Sequence, residues 1–236
     1  KLHNDSLARP TWDRSILAEP SPGSPFKISN ALAALEEGVI TPETSFRCYH
    51  GFYVGNKLRG CHCGGGVRTM NSGIYNSCNA YFAGTFRKFY EKYETTDEAM
   101  DVWEKHMRSF GLGNYLGYDL PTGRKGRIPN KGYYDKVHGD NRWSSSFIIS
   151  NAIGQGEVAA TPIQLANMTA AIANRGYFYT PHFIRKIDGQ EIKIPKFTQR
   201  KYTTISTKHF EPVIKGMADV YRYGTAKYLK IPGIDI

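Results

Sequence analysis

A serine and a lysine lie three residues apart at the start of an apolar, helix-like segment. Ser24 follows the turn-forming pair Pro22-Gly23, and Lys27 lies one helical turn further along. This spacing brings a lysine amine back towards the serine oxygen, at a helix N-terminus that favours developing negative charge. A lysine partly removed from water has a lowered pKa and can accept the serine proton. The pair predicts a lysine-activated serine nucleophile; an N-cap serine beside a solvated lysine is the alternative.

A second polar motif, Ser77-Cys78-Asn79, has the form Ser-x-Asn. Penicillin-binding proteins and related lactamases combine Ser-x-x-Lys with a motif of this kind and with Lys-Thr-Gly. Pro25 stands where the family usually has threonine, and proline is tolerated in the first turn of a helix. The sequence resembles the class B penicillin-binding transpeptidases of cell elongation, the penicillin-binding protein 2 group, over nearly its whole length, in these blocks: Pro22 to Lys27, Ala33 to Ile40, Asn76 to Phe82, Ile153 to Gly156 and Ala160 to Gln164.

The resemblance implies a peptidoglycan D,D-transpeptidase that serves cell-wall synthesis and cell shape. Ser24 would attack the penultimate D-Ala carbonyl of a stem peptide, and β-lactams would acylate the same oxygen. Lys27 would take the serine proton, while Ser77 and Asn79 would relay protons and hold the substrate amide. The resemblance also implies membrane proteins of the elongation machinery as partners. It places the full-length protein in the bacterial periplasm, anchored to the cytoplasmic membrane.

The implied fold is α+β, of the penicillin-binding and serine β-lactamase-like transpeptidase type. The third motif, Lys-Ser/Thr-Gly, does not occur in the sequence, and Gly224-Thr225-Ala226 resembles a family helix that precedes that strand. We therefore expect residues 1–236 to be a partial transpeptidase domain, mainly its helical subdomain. Most of the central antiparallel sheet, including the upstream strands and the Lys-Thr-Gly strand, would lie outside the chain. Without the strand that completes the oxyanion hole, the fragment would be weakly active or inactive.

Four cysteines form a possible metal site: Cys48, Cys61, Cys63 and Cys78. Four thiolates, or three with a histidine, make a closed tetrahedral zinc site, whereas two disulfides or free thiols are the alternatives. Some elongation transpeptidases hold a structural zinc of which the middle residue of the Ser-x-Asn motif is a ligand, and Cys78 occupies that place. The resemblance therefore favours a structural zinc held by the four cysteines. No organic cofactor is expected.

Two other functions remain open for the same residues. A serine β-lactamase or D,D-carboxypeptidase would share Ser24 and Lys27, but the blocks around Ile153 and Pro162 favour a transpeptidase. The second alternative is a non-catalytic, zinc-stapled binding module of the cell envelope.

The composition fits a folded protein with a basic surface. The 236 residues are 40% hydrophobic and 22% charged, with a net charge of +10. Basic residues are scattered, and their densest group, Arg124, Lys125 and Arg127, lies among glycines. Since no basic helix face or nucleic-acid fingerprint is present, we expect no nucleic-acid binding. A positive surface also suits an anionic cell envelope.

Apolar periodicity and turn residues predict the elements that position these groups. We expect loops over 41–70 and 112–144, little sheet, and two short strands, residues 183–187 and 191–194, around the turn Asp188-Gly189. Helix should dominate. The predicted helices run from Phe26 to near Gly38, over 72–75, from Asn79 through Tyr90, from Thr96 to Gly111, from Pro162 (N-cap Thr161) to Gly176, and from Glu211 to Lys227.

Overall fold

The computed structural model describes residues 5, 9–140, 142–144, 148–229, 231 and 233. Among these residues, 3₁₀ turns span Ser24–Phe26, Ile149–Ile153 and Thr207–His209. Within the described part of the chain, no helix has both the length and the apolar content to cross a membrane. The α-helices are α1 (Arg14–Leu17), α2 (Lys27–Glu36), α3 (Met70–Tyr75), α4 (Asn79–Glu91), α5 (Thr96–Ser109), α6 (Lys131–His138), α7 (Pro162–Ala173), α8 (Pro195–Thr198) and α9 (Phe210–Arg222).

The described strands form four antiparallel, two-stranded ribbons. In the first half of the chain β1 pairs with β4 and β2 with β3, whereas in the second half β5 pairs with β8 and β6 with β7. The strands are β1 (Ser45–Cys48), β2 (Gly51–Val54), β3 (Lys57–Gly60), β4 (Gly66–Thr69), β5 (Tyr177–Phe178), β6 (Lys186–Ile187), β7 (Gln190–Glu191) and β8 (Lys201–Tyr202).

Helix α2 runs through the centre of the core. It is buried on nearly all sides, including its polar residues Lys27, Ser29 and Asn30, and it packs against α4, α5 and α9. Phe26, just before the helix, meets the indole of Trp103 edge to face at 6.2 Å between ring centroids. Phe86 of α4 contacts the same indole at 5.7 Å. The N-terminus of α2 is therefore fixed by rigid aromatic packing.

The predicted dominance of helix over sheet is confirmed, with shifts at the ends of elements. Thr95, rather than Thr96, caps α5 through a hydrogen bond from the Glu98 amide to its side chain. Helix α6 lies within the predicted 112–144 loop and has Asn130 as its N-cap. Helix α9 ends at Arg222, before the predicted end, because the chain then turns to bring Thr225 onto the carbonyl of Tyr75.

The prediction of a loop over 41–70 is wrong, because this region contains β1 to β4. Its strands are mostly exposed and lack alternation of buried and exposed residues. Strands β1 and β4 pair across the intervening ribbon, with Ser45 opposite Thr69 and Cys48 opposite Gly66. Such non-local pairing leaves no periodic pattern in the sequence. The hairpin at Asp188-Gly189 is confirmed but shorter than predicted, with only Lys186–Ile187 and Gln190–Glu191 in strand.

Candidate active site

Ser24 lies at the mouth of a cleft, on a turn that leads directly into α2. Gly23 before it has a φ of +65°, in the left-handed region that favours glycine. The Gly23 amide donates a 2.8 Å hydrogen bond to the carbonyl of Gly154, and the side chain of Phe26 is fully buried. Ser24 itself is exposed. The turn thus places a hydroxyl in solvent while its flanking residues are held on both sides.

Gly154 supports this turn from behind. It has a φ of +66°, and a side chain there would bring its Cβ to 2.7 Å from the Cβ of Phe26. Only glycine therefore allows the two turns to approach this closely. The block Ile153 to Gly156, part of the resemblance, thus has a physical role: it fixes the backbone that carries Ser24.

The four predicted catalytic residues form one hydrogen-bonded chain. The Lys27 Nζ donates to the carbonyl oxygen of Ser77 at 2.7 Å, to the Ser77 Oγ at 2.9 Å and to the Asn79 Oδ1 at 2.7 Å. The Ser77 Oγ donates in turn to the Ser24 Oγ at 2.9 Å. Because an ammonium has three donors, these bonds use all of them. Ser77 therefore lies between Lys27 and Ser24, a link that the Ser-x-x-Lys spacing does not reveal.

Lys27 is almost completely buried, with 2% of its surface exposed. Burial lowers its pKa to about 8, although the nearby Cys61, Cys78 and Cys63 act in the opposite direction. A substantial fraction of the amine is then neutral near neutral pH. The side chain can accept a proton under the conditions in which an unperturbed lysine could not.

The backbone at Ser77 adopts a conformation that is rare for serine, with a φ of +51°. It joins two helices: the Ser77 amide donates to the Ile74 carbonyl at the end of α3, and Cys78 caps α4. This conformation turns both the carbonyl and the hydroxyl of Ser77 towards Lys27. Strained residues of this kind are typical of functional sites.

The cleft beside Ser24 has a volume of about 690 Å³. Its ionisable lining residues among those described are Arg59 and His62. A second, more apolar pocket of about 320 Å³ opens on the other side of Ser24, between α2, α3, α7 and α9. The larger cleft is lined by Ser24, Phe52, Arg59, Gly60, His62, Asn76, Ser77, Asn79, Ser150, Ile153, Gln155, Gly156 and Thr225.

Sequence reasoning missed several of these lining residues. Phe52 and Arg59 come from the β2–β3 ribbon, which was expected to be loop and carries no local signal of proximity to Ser24. Thr225 lies in the block Gly224-Thr225-Ala226, which the resemblance assigns to a helix before the Lys-Thr-Gly strand. The structure nevertheless brings Thr225 into the cleft, after the end of α9.

The four predicted metal ligands converge on one point. Their sulfur atoms all lie within 4.8 Å of one another. The Cys63 sulfur is 3.2 Å from that of Cys78, 3.3 Å from Cys61 and 3.5 Å from Cys48. A tetrahedron of sulfurs about 2.3 Å from a central zinc has edges of roughly 3.8 Å. A disulfide would need about 2.05 Å. The cluster thus fits a tetrahedral cation better than paired bridges.

The electrostatics of the cluster also favour a cation. Burial raises the pKa of Cys48 to about 11, whereas the hydrogen bond from Cys78 lowers the pKa of Cys61 to about 3. The same bond, followed by burial, raises the pKa of Cys78. Crowded thiols of this kind cannot all ionise without a positive charge between them. The donor set therefore suits a soft divalent metal such as zinc.

The cysteine cluster is joined directly to the candidate catalytic residues. The backbone amide of Asn79 donates to the Cys61 sulfur at 3.1 Å, and the Asn79 Nδ2 donates to the Gly60 carbonyl at 3.1 Å. The Tyr81 amide donates to the Cys78 sulfur at 3.4 Å. The position of Asn79 thus depends on the fold of the cysteine-bearing ribbons.

Comparison with curated proteins gives a consistent set of relatives. The peptidoglycan D,D-transpeptidase MrdA of Acinetobacter baumannii is 28% identical over 234 residues, which are 97% of this chain and 33% of that protein. The MrdA of Haemophilus influenzae is 29% identical over 227 residues, 93% of this chain and 33% of that protein. The chain thus spans about a third of the length of these relatives.

Solved structures agree with this result. PBP2 of Pseudomonas aeruginosa in complex with WCK 5153 is 29% identical, with a TM-score of 0.81 over 95% of this chain and 50% of that one. The complex of PBP2 and MreC from Helicobacter pylori gives 27% identity and a TM-score of 0.79 over 98% of this chain and 41% of the matched chain. The predicted transpeptidase fold is confirmed, here as a mainly helical chain with few strands.

The family model described as the penicillin binding protein transpeptidase domain matches residues 5–236. That match covers nearly the entire sequence, including both motifs of the hydrogen-bonded site. The chain belongs to the penicillin-binding protein transpeptidase family.

Proposed function

We propose that the chain serves a peptidoglycan D,D-transpeptidase that transfers an acyl group from D-Ala-D-Ala stem peptides through Ser24. The observation that carries the proposal is the hydrogen-bonded path from Lys27 through Ser77 to Ser24 at the mouth of a cleft. The MrdA relatives support the reaction class. The path also argues against a non-catalytic binding module, because burying a lysine costs free energy that ligand binding alone does not explain.

The proton path follows from the direction of the hydrogen bonds. With Lys27 charged, it donates to Ser77, and Ser77 donates to Ser24. When Lys27 is neutral, both hydroxyl hydrogens can rotate, so that Ser24 donates to Ser77 and Ser77 to the amine. Ser24 Oγ then attacks the penultimate D-Ala carbonyl, and its proton reaches Lys27 through Ser77. The amine returns the proton to the departing D-Ala as the carbon–nitrogen bond breaks.

The second half of the reaction reverses these roles. An amine from a neighbouring strand attacks the acyl-enzyme, loses a proton along the same path, and displaces Ser24. A β-lactam would form the same ester at Ser24 through opening of its ring. Water must be a poor acceptor for a transpeptidase, whereas a β-lactamase would hydrolyse the ester quickly.

Asn79 orients the lysine and has capacity left for substrate. Its Oδ1 accepts from Lys27, and its Nδ2 donates one hydrogen to the Gly60 carbonyl. The amide nitrogen carries a second hydrogen, and Asn79 lines the cleft. That hydrogen is the one we assign to the carbonyl of the stem peptide.

The cysteine cluster is proposed to hold a structural zinc through Cys48, Cys61, Cys63 and Cys78. Zinc bound there would neutralise the thiolates and cross-link the ribbons to the N-terminus of α4. Four sulfur ligands would leave no open position for a reacting water. The sulfur spacings and the perturbed thiol pKa values described above support this assignment.

The proposed setting is the bacterial periplasm, in a membrane-anchored protein that works with membrane proteins of the elongation machinery. The complex of H. pylori PBP2 with MreC supports such partners.

A fluorescent penicillin tests the proposed reaction. A chain that also carries the Lys-Thr-Gly strand should become covalently labelled, and Ser24→Ala should abolish the label. Ser21→Ala is the control: it removes a serine hydroxyl from an exposed position three residues earlier, and this variant should be labelled normally. A label that persists in Ser24→Ala, or that never forms in the folded chain that includes this strand, contradicts the proposal. Rapid release of the label by water would instead favour a β-lactamase.

A further inference from the structure

The cleft beside Ser24 carries an uncompensated positive charge. Of the thirteen residues that line it, Arg59 and His62 are ionisable, and none of these lining residues is an aspartate or a glutamate. Lys27 contributes no free donor, because its three hydrogen bonds all go to Ser77 and Asn79. The remaining lining residues are neutral. An anionic ligand group is therefore what this wall of the cleft can stabilise.

Arg59 differs from the other arginines in the same part of the fold. The guanidinium of Arg68 donates to the Cys63 carbonyl, and that of Arg87 donates to the Tyr53 carbonyl. Within the described residues, the guanidinium of Arg59 makes no hydrogen bond or ion pair. Its planar set of donors is thus available to a ligand in the cleft.

The backbone of Arg59 is nevertheless held firmly against the catalytic segment. It pairs with Phe52 across the β2–β3 ribbon. The carbonyl of the next residue, Gly60, accepts a hydrogen bond from Asn79, and the Cys61 amide donates to the His50 carbonyl at 2.8 Å. Because Asn79 also contacts Lys27, the arginine and the proton path share one rigid frame. A group bound by Arg59 would lie in the same cleft as Ser24.

We propose that Arg59 binds a carboxylate of the peptide substrate and thereby selects anionic stem peptides. The inference rests on the proposed acyl transfer and adds a recognition element to that site. A guanidinium matches a carboxylate with two parallel hydrogen bonds, and this geometry distinguishes a carboxylate from an amide.

Two carboxylates of a stem peptide have the required chemistry. One is the C-terminal carboxylate of D-Ala-D-Ala, and the other is an acidic side chain earlier in the peptide. The probes are therefore three acetylated peptides that end in D-Ala-D-Ala: one with a glutamate side chain and a free C-terminus, one with glutamine instead, and one with a C-terminal amide.

Equilibrium binding separates this inference from the acylation chemistry. The peptides are titrated by nuclear magnetic resonance into the Ser24→Ala chain, which cannot form the ester, with and without Arg59→Gln. Replacement of one carboxylate by an amide should weaken binding about tenfold or more in the presence of Arg59. The same replacement should change binding by less than about twofold in Arg59→Gln. Weaker binding of the glutamine peptide would identify the side-chain carboxylate as the group that Arg59 binds, and weaker binding of the C-terminal amide would identify the C-terminal carboxylate.

Lys57→Gln is the matched control, since Lys57 lies on the same strand and is exposed but does not line the cleft. It should preserve the preference for the carboxylate. An undiminished preference in Arg59→Gln, or no preference or no binding with Arg59 intact, would overturn the inference. Penicillin labelling of the chain with Ser24 intact reports separately on the acyl-transfer proposal, so the two failures are distinguishable. Unchanged thermal unfolding of Arg59→Gln would show that the variant is folded.

Discussion

Ser77 and Asn79 hold the buried amine of Lys27 through neutral oxygens. The Lys27 amine is buried, and its hydrogen bonds go to oxygens of Ser77 and Asn79 instead of to a carboxylate. Burial outweighs the opposing effect of Cys61, Cys78 and Cys63, and the pKa of Lys27 falls to about 8. The strained backbone of Ser77 supplies two of the three acceptors. Desolvation is therefore what would make Lys27 able to serve as the proposed base.

The lowered pKa predicts how acylation of Ser24 depends on pH. Only neutral Lys27 can accept a proton, so the second-order rate of labelling by fluorescent penicillin should rise as pH increases through about 8. About a tenth of the amine is neutral at pH 7 and about nine tenths at pH 9. The rate should level off above this range. Stopped samples analysed by gel fluorescence between pH 6 and 10 provide the measurement.

The substitution Lys27→Arg is the control for this dependence of labelling on pH. Lys27→Arg keeps a positive charge that does not titrate in this range, so acylation should fall by about 10²- to 10⁴-fold and lose its rise near pH 8. Lys88→Arg, at an exposed position on α4, should leave the profile unchanged. A rise near pH 8 that survives in Lys27→Arg would assign the titration to another group.

At the scale of elements, Asn30 connects three segments that surround the nucleophile. It is buried on α2, and its Nδ2 donates to the carbonyls of Asn151 and Ala152 at 3.1 and 3.0 Å. Its Oδ1 accepts from the Trp103 indole at 2.8 Å. The segment that it holds ends at Gly154, whose carbonyl binds the turn before Ser24. Asn30 therefore supports the site without contacting it.

Asn30→Ala should destabilise the fold by about 2–3 kcal/mol, because the buried Ala152 carbonyl and Trp103 indole N–H lose the hydrogen bonds that Asn30 makes to them, whereas the Asn151 carbonyl keeps the Gly154 amide. Labelling by penicillin should also slow, since the Gly154 turn loses its attachment to α2. Thermal and denaturant unfolding measure the first effect. Asn56→Ala, at an exposed position between β2 and β3, is the comparison and should change stability by less than about 0.5 kcal/mol. Equal effects of the two substitutions would contradict the assigned role of Asn30.

Helices were predictable from the sequence because their signals are local. Thr161 and Gln164 form a reciprocal capping box at the start of α7, and the side chain of each binds the backbone amide of the other. Proline at the first helical position strengthens that signal. Helix α6 escaped prediction since its surroundings are rich in glycine, tyrosine and lysine. Helix α9 was predicted too long because its end depends on a distant carbonyl, that of Tyr75.

The candidate site was predictable only in part. The motifs and the resemblance indicated Ser24, Lys27, Ser77 and Asn79, and the structure places all four in contact, although their catalytic roles stay proposals. The intermediate position of Ser77 depends on how α3 and α4 pack beside α2, which no local spacing encodes. Arg59 and Thr225 reach the cleft through a long-range ribbon and a post-helical turn. Such placements arise from tertiary packing and are not specified by residue type.

At the scale of the whole molecule, the cysteine cluster joins the two exposed ribbons of the first half of the chain to the segment that carries Ser77 and Asn79. Two-stranded ribbons are marginal in water unless something else holds them. Here β1–β4 and β2–β3 are largely exposed, yet they carry Cys48 and lead into Cys61 and Cys63. Cys78 adds the N-terminus of α4. A metal bound by the four cysteines would cross-link the two ribbons and the N-terminus of α4, because the ribbons themselves bury little apolar surface.

We expect about one equivalent of zinc to remain with the purified chain after dialysis without chelator, as measured by elemental analysis. Removal of zinc by a strong chelator should lower the melting temperature and expose four titratable thiols, because the metal-bound ribbons lose their common ligand. Penicillin labelling should decline in parallel, since Asn79 contacts Cys61. Readdition of zinc should restore both properties.

Cys48→Ser removes one ligand at the edge of the cluster, and it should reduce zinc retention without changing the residues around Ser24. Ser45→Ala, on the same strand at an exposed position, should retain the full equivalent. Two disulfides detected by mass spectrometry of the unreduced chain, together with no bound zinc, would refute the metal assignment. That result would also require the ribbons to rearrange, because sulfurs 3.2–3.7 Å apart are not bonded. The thiol titration and the metal content are therefore two independent tests of whether the four cysteines hold zinc or form disulfides.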